Sequence, residues 1–189
     1  MKQNILPALR LTLVSVFFFC VAYTFLIWAV AQAAPNNGDG QTITVNGKVV
    51  GYALEGQSFT QDKYFQGRPS KAGNGYDATS GSGSNKGTSN PDYLADVKAH
   101  VDSFMVHNPT VKKEDIPSEL VTYSASGLDP DISPAAAYVQ VDRISTIRKI
   151  SKDKLNALID ANTENPLLGT MGMTHINVLK LNIALDNLK

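Results

Sequence analysis

LTLVSVFFFCVAYTFLIWAVA, residues Leu11 to Ala31, is the stretch that decides what the rest of the chain can be. No charged residue falls between Arg10 and Asp39, and the run is dense in Leu, Val, Phe and Ala. As a helix rising about 1.5 Å per residue it covers roughly the 30 Å of a bilayer's hydrocarbon core. Thr12, Ser15 and Thr24 are polar residues of the kind that return their hydroxyls to the helix's own carbonyls, and Trp28 and Gln32 approach the far interface. The competing reading is a secretory signal, because Lys2 and Arg10 form a basic start and Ala31-Gln32-Ala33 resembles a small-residue cleavage site. A signal's apolar core spans only about 7 to 15 residues, so length favours a retained anchor over residues 11–33. Lys2 and Arg10 precede the span and the first basic residue after it is Lys48, which predicts a cytoplasmic segment 1–10 and an exported segment 34–189.

The part after the span is one domain's worth of chain and holds no second apolar run long enough to cross a membrane. It carries 15 Lys plus Arg against 17 Asp plus Glu, about −2 net, a balance that points away from nucleic acid and from acidic lipid surfaces. The single cysteine, Cys20, lies in the span. An exported domain without disulfides must be held by its own core or by partner subunits.

In TITVNGKVV, Asn46-Gly47 sits between two β-branched runs and predicts a hairpin with a type I′ turn. Leu54, Phe59, Tyr64 and Phe65 are expected core contributors. Residues 67–90, GRPSKAGNGYDATSGSGSNKGTSN, are rich in Gly and Ser like a linker, yet lie inside the domain and contain Arg68, Tyr76 and Asp77; a loop this long is functional or disordered. Asn90-Pro91-Asp92 reads as cap, N1 proline and acidic first turn of a helix running to about His107, with Leu94, Val97, Val101, Phe104 and Met105 on one face. Leu120 to Ser124 reads as a strand. Ser133-Pro134 opens a second helix marked by Ala137, Val141, Ile144 and Arg148, and Ser151 a third through Leu155, Leu158 and Ile159. A loop at Asn165-Pro166 and Gly169 to Gly172, a strand over Ile176 to Leu179 and a closing helical segment with Leu181, Leu185 and Leu188 complete the chain. Strands and helices mix without βαβ alternation, so the expected fold is one transmembrane helix followed by a single α+β domain.

Enzymatic motifs are present only in fragments. G-S-G-S-N-K-G-T from Gly81 has lysine and glycine exchanged relative to a phosphate loop, and no helix start follows Lys86 directly. Gly73 to Ala78 fits G-x-G-x-x-A without the strand and helix of a dinucleotide site. Ser151-Lys152-Asp153-Lys154 fits S-x-x-K, the basis of an alternative reading as an exported serine acyl-transfer enzyme, but neither S-D-N nor K-T-G follows and a helix-capping Ser151 explains it equally. His100, His107 and His175 lack metal-ligand spacing. These residues describe a membrane-anchored, non-enzymatic exported domain.

YFQGRPSKAGNGYDA (Tyr64 to Ala78), GSNKGTSNP (Gly83 to Pro91), VTYSASGLDPDISPAAA (Val121 to Ala137), the Gln140, Arg143 and Arg148 spacing, and INVLKLNIALD (Ile176 to Asp186) resemble the C subunit family of the Kdp potassium-transporting ATPase. Lys86 and Thr88 stand where that family more often has Leu and Pro, Tyr123 replaces a small residue, and Asp131 lies where His is common. The resemblance implies a subunit of a high-affinity, ATP-driven potassium uptake complex in a bacterial inner membrane. Its partners would be a channel-like potassium-translocating A subunit, a P-type ATPase B subunit and a small single-span F subunit. The family is described as a catalytic chaperone that raises the B subunit's affinity for ATP; no cofactor of its own is implied, ATP and potassium being handled by the complex. Because exported residues are about 30 Å of hydrocarbon away from cytoplasmic ATP, the effect passes through subunit contacts or the predicted sidedness is wrong. Arg68, Pro69, Ser70, Tyr76, Asp77, Asn85, Asn90, Pro91, Ser126, Gly127, Asp129 and Pro130 are the candidate partner-interface residues, facing the channel-like subunit. The alternative is a loop ordered only by its own domain.

Overall fold

The structure is a computed structural model that describes residues 2–188. It divides into two compact units, Met1–Thr42 and Ile43–Lys189. In the first, α1 (Lys2–Val16), a π-helical stretch (Phe17–Ala22) and α2 (Tyr23–Ala31) follow one another without a break. Asn4–Ala31 is long and apolar enough to cross a membrane, and none of its most apolar window is buried in protein. The helix starts before Leu11 and includes Pro7. In the π stretch the Tyr23 amide bonds back five residues to Phe18 O, and the Thr24 hydroxyl reaches Phe19 O at 3.4 Å, the return bond expected of it. A 3₁₀ turn, Pro35–Gly38, follows the helix, with Asn36 and Asn37 both left-handed (φ 55° and 54°).

From the last residue of the first unit onward, β1 (Thr42–Val45) and β2 (Lys48–Tyr52) form the predicted hairpin, and Asn46 and Gly47 take the two positive φ values, 50° and 76°, that a type I′ turn requires. Phe65 is fully buried and Phe59 and Tyr64 pack partly against the core, whereas Leu54 is 78% exposed because its neighbour Ala53 faces inward. α3 (Pro91–His107) begins at the expected cap: the Asn90 side chain accepts from the amides of Asp92 and Tyr93. Of its apolar face only Phe104 is fully enclosed.

Residues 120–124 are not a strand. Ser118–Leu120 is a 3₁₀ turn, and its successors find other backbone partners: Thr122 donates its amide and hydroxyl to Ser118 O, Val121 O meets His100, and the Ser124 amide donates to Pro69 O. The apolar pair Leu120 and Val121 is buried without a ladder, so apolarity alone misled.

β3 (Asp131–Ile132) pairs antiparallel with β4 (Ile176–Asn177), Asp131 opposite Asn177 and Ile132 opposite Ile176. The helix after Ser133 comes in two pieces, α4 (Pro134–Tyr138) and α5 (Val141–Arg148). Between them the Gln140 side chain donates to Ala136 O, the acceptor its own amide would use in a continuous helix, and that amide turns instead to Ala137 O. α6 (Lys152–Ala161) starts at Ser151, whose hydroxyl accepts from the Lys154 amide; the S-x-x-K match is a helix cap. α7 (Val178–Asn187) takes over Val178 and Leu179, which the sequence assigned to a strand. α6 packs on α4, α5 and α7, and Phe65, Ile132, Ile144, Leu155, Ile159, Ile176, Leu181 and Leu185 form the enclosed centre. At about 25 cal/mol per Å² of apolar surface this mixed cluster is the main stabilising term of an α+β domain that has no disulfide.

Candidate functional site

The glycine-rich loop is held in place from both ends. Ahead of it, Arg143 of α5 is buried and grips residues 62–66: its guanidinium donates to Asp62 O (2.5 Å), Tyr64 O (3.1 Å), Asn108 Oδ1 (2.9 Å) and Gln140 Oε1 (2.7 Å). Gln140 exchanges bonds with the Gln66 backbone, accepting from its amide at 2.8 Å and donating to its carbonyl at 3.1 Å. Asn182 of α7 does the same for Phe65 at 2.8 and 2.9 Å. Burial pushes the Arg143 pKa down, with Asp62 acting against it. None of these buried amides was identified from composition; Asn182, a polar residue in the Leu181–Leu185 apolar series, was the available signal.

Beyond Gln66 the loop folds onto residues 123–130. Arg68 pairs with Asp129 at 2.9 Å and donates to Tyr123 O at 3.3 Å. Ser70 donates its hydroxyl to Gly127 O (2.6 Å) and accepts the amides of Ala72 and Tyr76 (3.2 and 2.8 Å). The Tyr76 hydroxyl donates to Arg68 O at 2.5 Å, and burial, reinforced by the Asp129 charge and opposed by Arg68, pushes the phenol pKa up to about 12. Gly127 is left-handed (φ 75°), and a Cβ there would stand 2.6 Å from Ser82 O and 2.8 Å from the Ala72 Cβ. One at Gly83 would stand 2.7 Å from Ala125 O. The glycines let two stretches of backbone touch.

Six of the predicted residues, Arg68, Pro69, Ser70, Tyr76, Gly127 and Asp129, are thus brought together and bonded to one another or to the segment between them. Ser126 lies beside them and accepts the Leu128 amide at 3.1 Å, and Pro130 O accepts from Val178 at 2.9 Å. The others take local roles. Asn90 caps α3 and Pro91 is its first residue. Asp77 caps a short 3₁₀ turn, and two bonds from Thr79 hold its carboxyl below the usual range. Asn85 is exposed and left-handed (φ 54°). Lys86, the fragmentary phosphate-loop lysine, lies 3.6 and 3.9 Å from the carboxylates of Asp92 and Asp96.

Between the loop and α3 lies a cleft of about 320 Å³ edged by Arg68, Tyr76, His100, His107 and Tyr123. His100 Nδ1 is 3.0 Å from Val121 O, so it carries the proton, and His107 Nδ1 lies 2.8 Å from Asp62. Tyr123 meets the His100 ring edge-on at 4.8 Å and the Lys71 ammonium at 5.0 Å. Asp131, set against His175, Asn177 and Glu164, has its pKa raised by burial first of all. Among the described residues no three His, Cys, Asp or Glu side chains are grouped to hold a metal. The surface offers shape, fixed backbone and a few polar groups.

The family model described as "K+-transporting ATPase, c chain" matches residues 5–187. Proteins named potassium-transporting ATPase KdpC subunit are similar over nearly the full length: that of Bacteroides fragilis is 52% identical over 188 residues, 99% of this chain and 98% of its own. That of Bacteroides thetaiotaomicron is likewise 52% identical, over 99% of this chain and 100% of its own, and that of Caulobacter vibrioides is 48% identical over 96% and 93%. With its apolar N-terminal helix, its α+β domain and a match that covers both, the chain belongs to the KdpC family, the c chains of K+-transporting ATPases.

Proposed function

We propose that the chain is a non-catalytic, membrane-anchored subunit of an ATP-driven potassium uptake complex, placed with residues 1–10 in the cytoplasm, 11–33 across the bacterial inner membrane and 34–189 outside it. The observation that carries this reading is the family match over residues 5–187. In the complex its partners are the channel-like A subunit, the P-type ATPase B subunit and the small F subunit. The face formed by the glycine loop and residues 121–130 is its docking surface for the channel-like subunit. Its internal bonds support that use, because a surface already ordered loses little further entropy on binding.

ATP and potassium are handled by the other subunits, and the chain raises the pump's affinity for ATP indirectly, by favouring one of its conformations. A coupling of about 1 to 3 kcal/mol changes apparent ATP affinity about 5 to 150-fold without a nucleotide on this chain. Calorimetry tests this. The isolated full-length chain in mild detergent is expected to show no saturable micromolar ATP binding, while its omission from the assembled complex lowers ATP hydrolysis and potassium transport together. Saturable binding abolished by Lys86→Ala or Ser126→Ala would replace the indirect mechanism with a direct one.

A further inference from the structure

The cleft between the glycine loop and α3 has one polar and one apolar side. Its volume, about 320 Å³, is at the lower end of the range that encloses a small molecule. Phe59, Phe104 and Leu120 supply the apolar side, and Arg68, His100 and Tyr123 the polar one. No Asp or Glu lines it, although acids outnumber bases in the chain after the membrane helix. The acids nearest its bases stand outside the lining: Asp129 is 2.9 Å from Arg68, and Asp62 is 2.8 Å from His107. Donors on the polar side lack acceptors. Arg68 Nη1 and Nη2 donate to Asp129 and Tyr123 O, but Nε is buried and is, among the described residues, the only enclosed side-chain nitrogen without a hydrogen-bond partner. A buried donor in that state is rare in a folded chain. The Tyr123 hydroxyl lies 3.5 Å from Lys71 Nζ, which donates to it and leaves the phenolic hydrogen free. His100 places its Nδ1 proton on Val121 O, so Nε2 is the nitrogen that changes from acceptor to donor when the ring is protonated.

Donors in search of acceptors, a lining free of carboxylates and an apolar side together describe one class of ligand. We infer that the cleft binds a small monocarboxylic acid in its ionised form, the carboxylate against Tyr123, His100 and Arg68 and the hydrocarbon or aromatic body against Phe59, Phe104 and Leu120. This goes beyond the docking role proposed above and concerns the chain alone. Inorganic phosphate would leave the apolar side unused, and a cation would find no carboxylate on the lining. A carboxylate can accept from each of the donors, and such charge-assisted bonds are about twice as strong as neutral ones. It also favours the protonated His100 ring, so binding takes up a proton and tightens as pH falls. The charged groups disposed around that ring are Arg68 and Lys71 of the glycine loop, and Asp96 and His107 one and two turns away on α3, with Asp62 beside His107. Both acids already have a base next to them: Asp96 lies 3.8 and 3.9 Å from Lys71 and Lys86, and Asp62 faces His107.

Phenylacetate is the probe, titrated by calorimetry into the full-length chain in mild detergent, so the outcome does not depend on the other subunits. One saturable site is expected, with a higher thermal midpoint at saturation and an affinity that rises from about pH 8 to about pH 6. Phenylacetamide, the same body without the charge, is expected to bind at least about tenfold more weakly, and inorganic phosphate not to bind. Tyr123→Phe keeps the ring against His100 and removes the hydroxyl; about tenfold weaker phenylacetate binding is expected, with the ligand-free midpoint unchanged. His100→Asn keeps a donor for Val121 O without Nε2 and is expected to abolish the pH dependence, which decides the matter even if Tyr123→Phe destabilises the fold. No saturable binding, equal affinity for phenylacetamide, or binding that neither pH nor these substitutions alter would overturn the proposal.

Discussion

Arg143 and Tyr76 show how single side chains hold the loop. Arg143→Ala leaves the Asp62 and Tyr64 carbonyls and the Asn108 and Gln140 amide oxygens without their guanidinium donor. The expected loss is about 3 kcal/mol or more, read as a lower unfolding midpoint of the full chain in detergent. For Tyr76 the folded pKa, about 12, lies above the unfolded value of 10. The associated stability is therefore complete below pH 10 and disappears as pH rises from 10 through 12, because only the unfolded chain ionises easily in that window. Its full size is at most about 3 kcal/mol. The wild-type chain is expected to lose stability over that window more steeply than Tyr76→Phe; parallel profiles would mean that the phenol is not desolvated. Neither role could be read from sequence. Arg143 and Gln140 stood out only through their family spacing, since what they bind is backbone far along the chain, and backbone acceptors leave no mark on composition.

Elements were legible where local chemistry dictates them. Asn46-Gly47 has few other conformations open to it, and Asn90-Pro91-Asp92 and Ser133-Pro134 announce helix starts by satisfying the first free amides. Where tertiary contacts decide, the reading failed: Leu120 to Ser124 has a strand's composition but no neighbouring strand, and the second helix breaks at a glutamine whose side chain takes an acceptor from its own backbone. The glycine loop reads as linker because a loop's order comes from what it touches. That contact can be tested through Gly127. Gly127→Ala forces a Cβ into Ser82 O and Ala72 at a left-handed φ, a strain of about 1 to 3 kcal/mol, and is expected to release the loop. Limited trypsin digestion should then cut first after Lys71 and Lys86, sites that stay protected in the wild type.

For the molecule as a whole, the next measurement is sidedness. A cysteine at Ser82 in a Cys20→Ser background is expected to react with an impermeant thiol reagent in intact spheroplasts; labelling only after lysis would reverse the orientation. The membrane helix has a further property that follows from Phe17–Ala22. A π turn accommodates one residue more than an α turn, so this stretch absorbs an extra residue while the stripes of side chains on α1 and α2 stay in phase. Removing Phe18 or Cys20 lets the stretch wind down to an ordinary α-helix with both stripes still aligned, and assembly should survive. Removing Leu13 or Leu26 swings one half about 100° around the axis and should impair it. The helix thus has one place where its length can change by a residue without turning its two ends to face different neighbours.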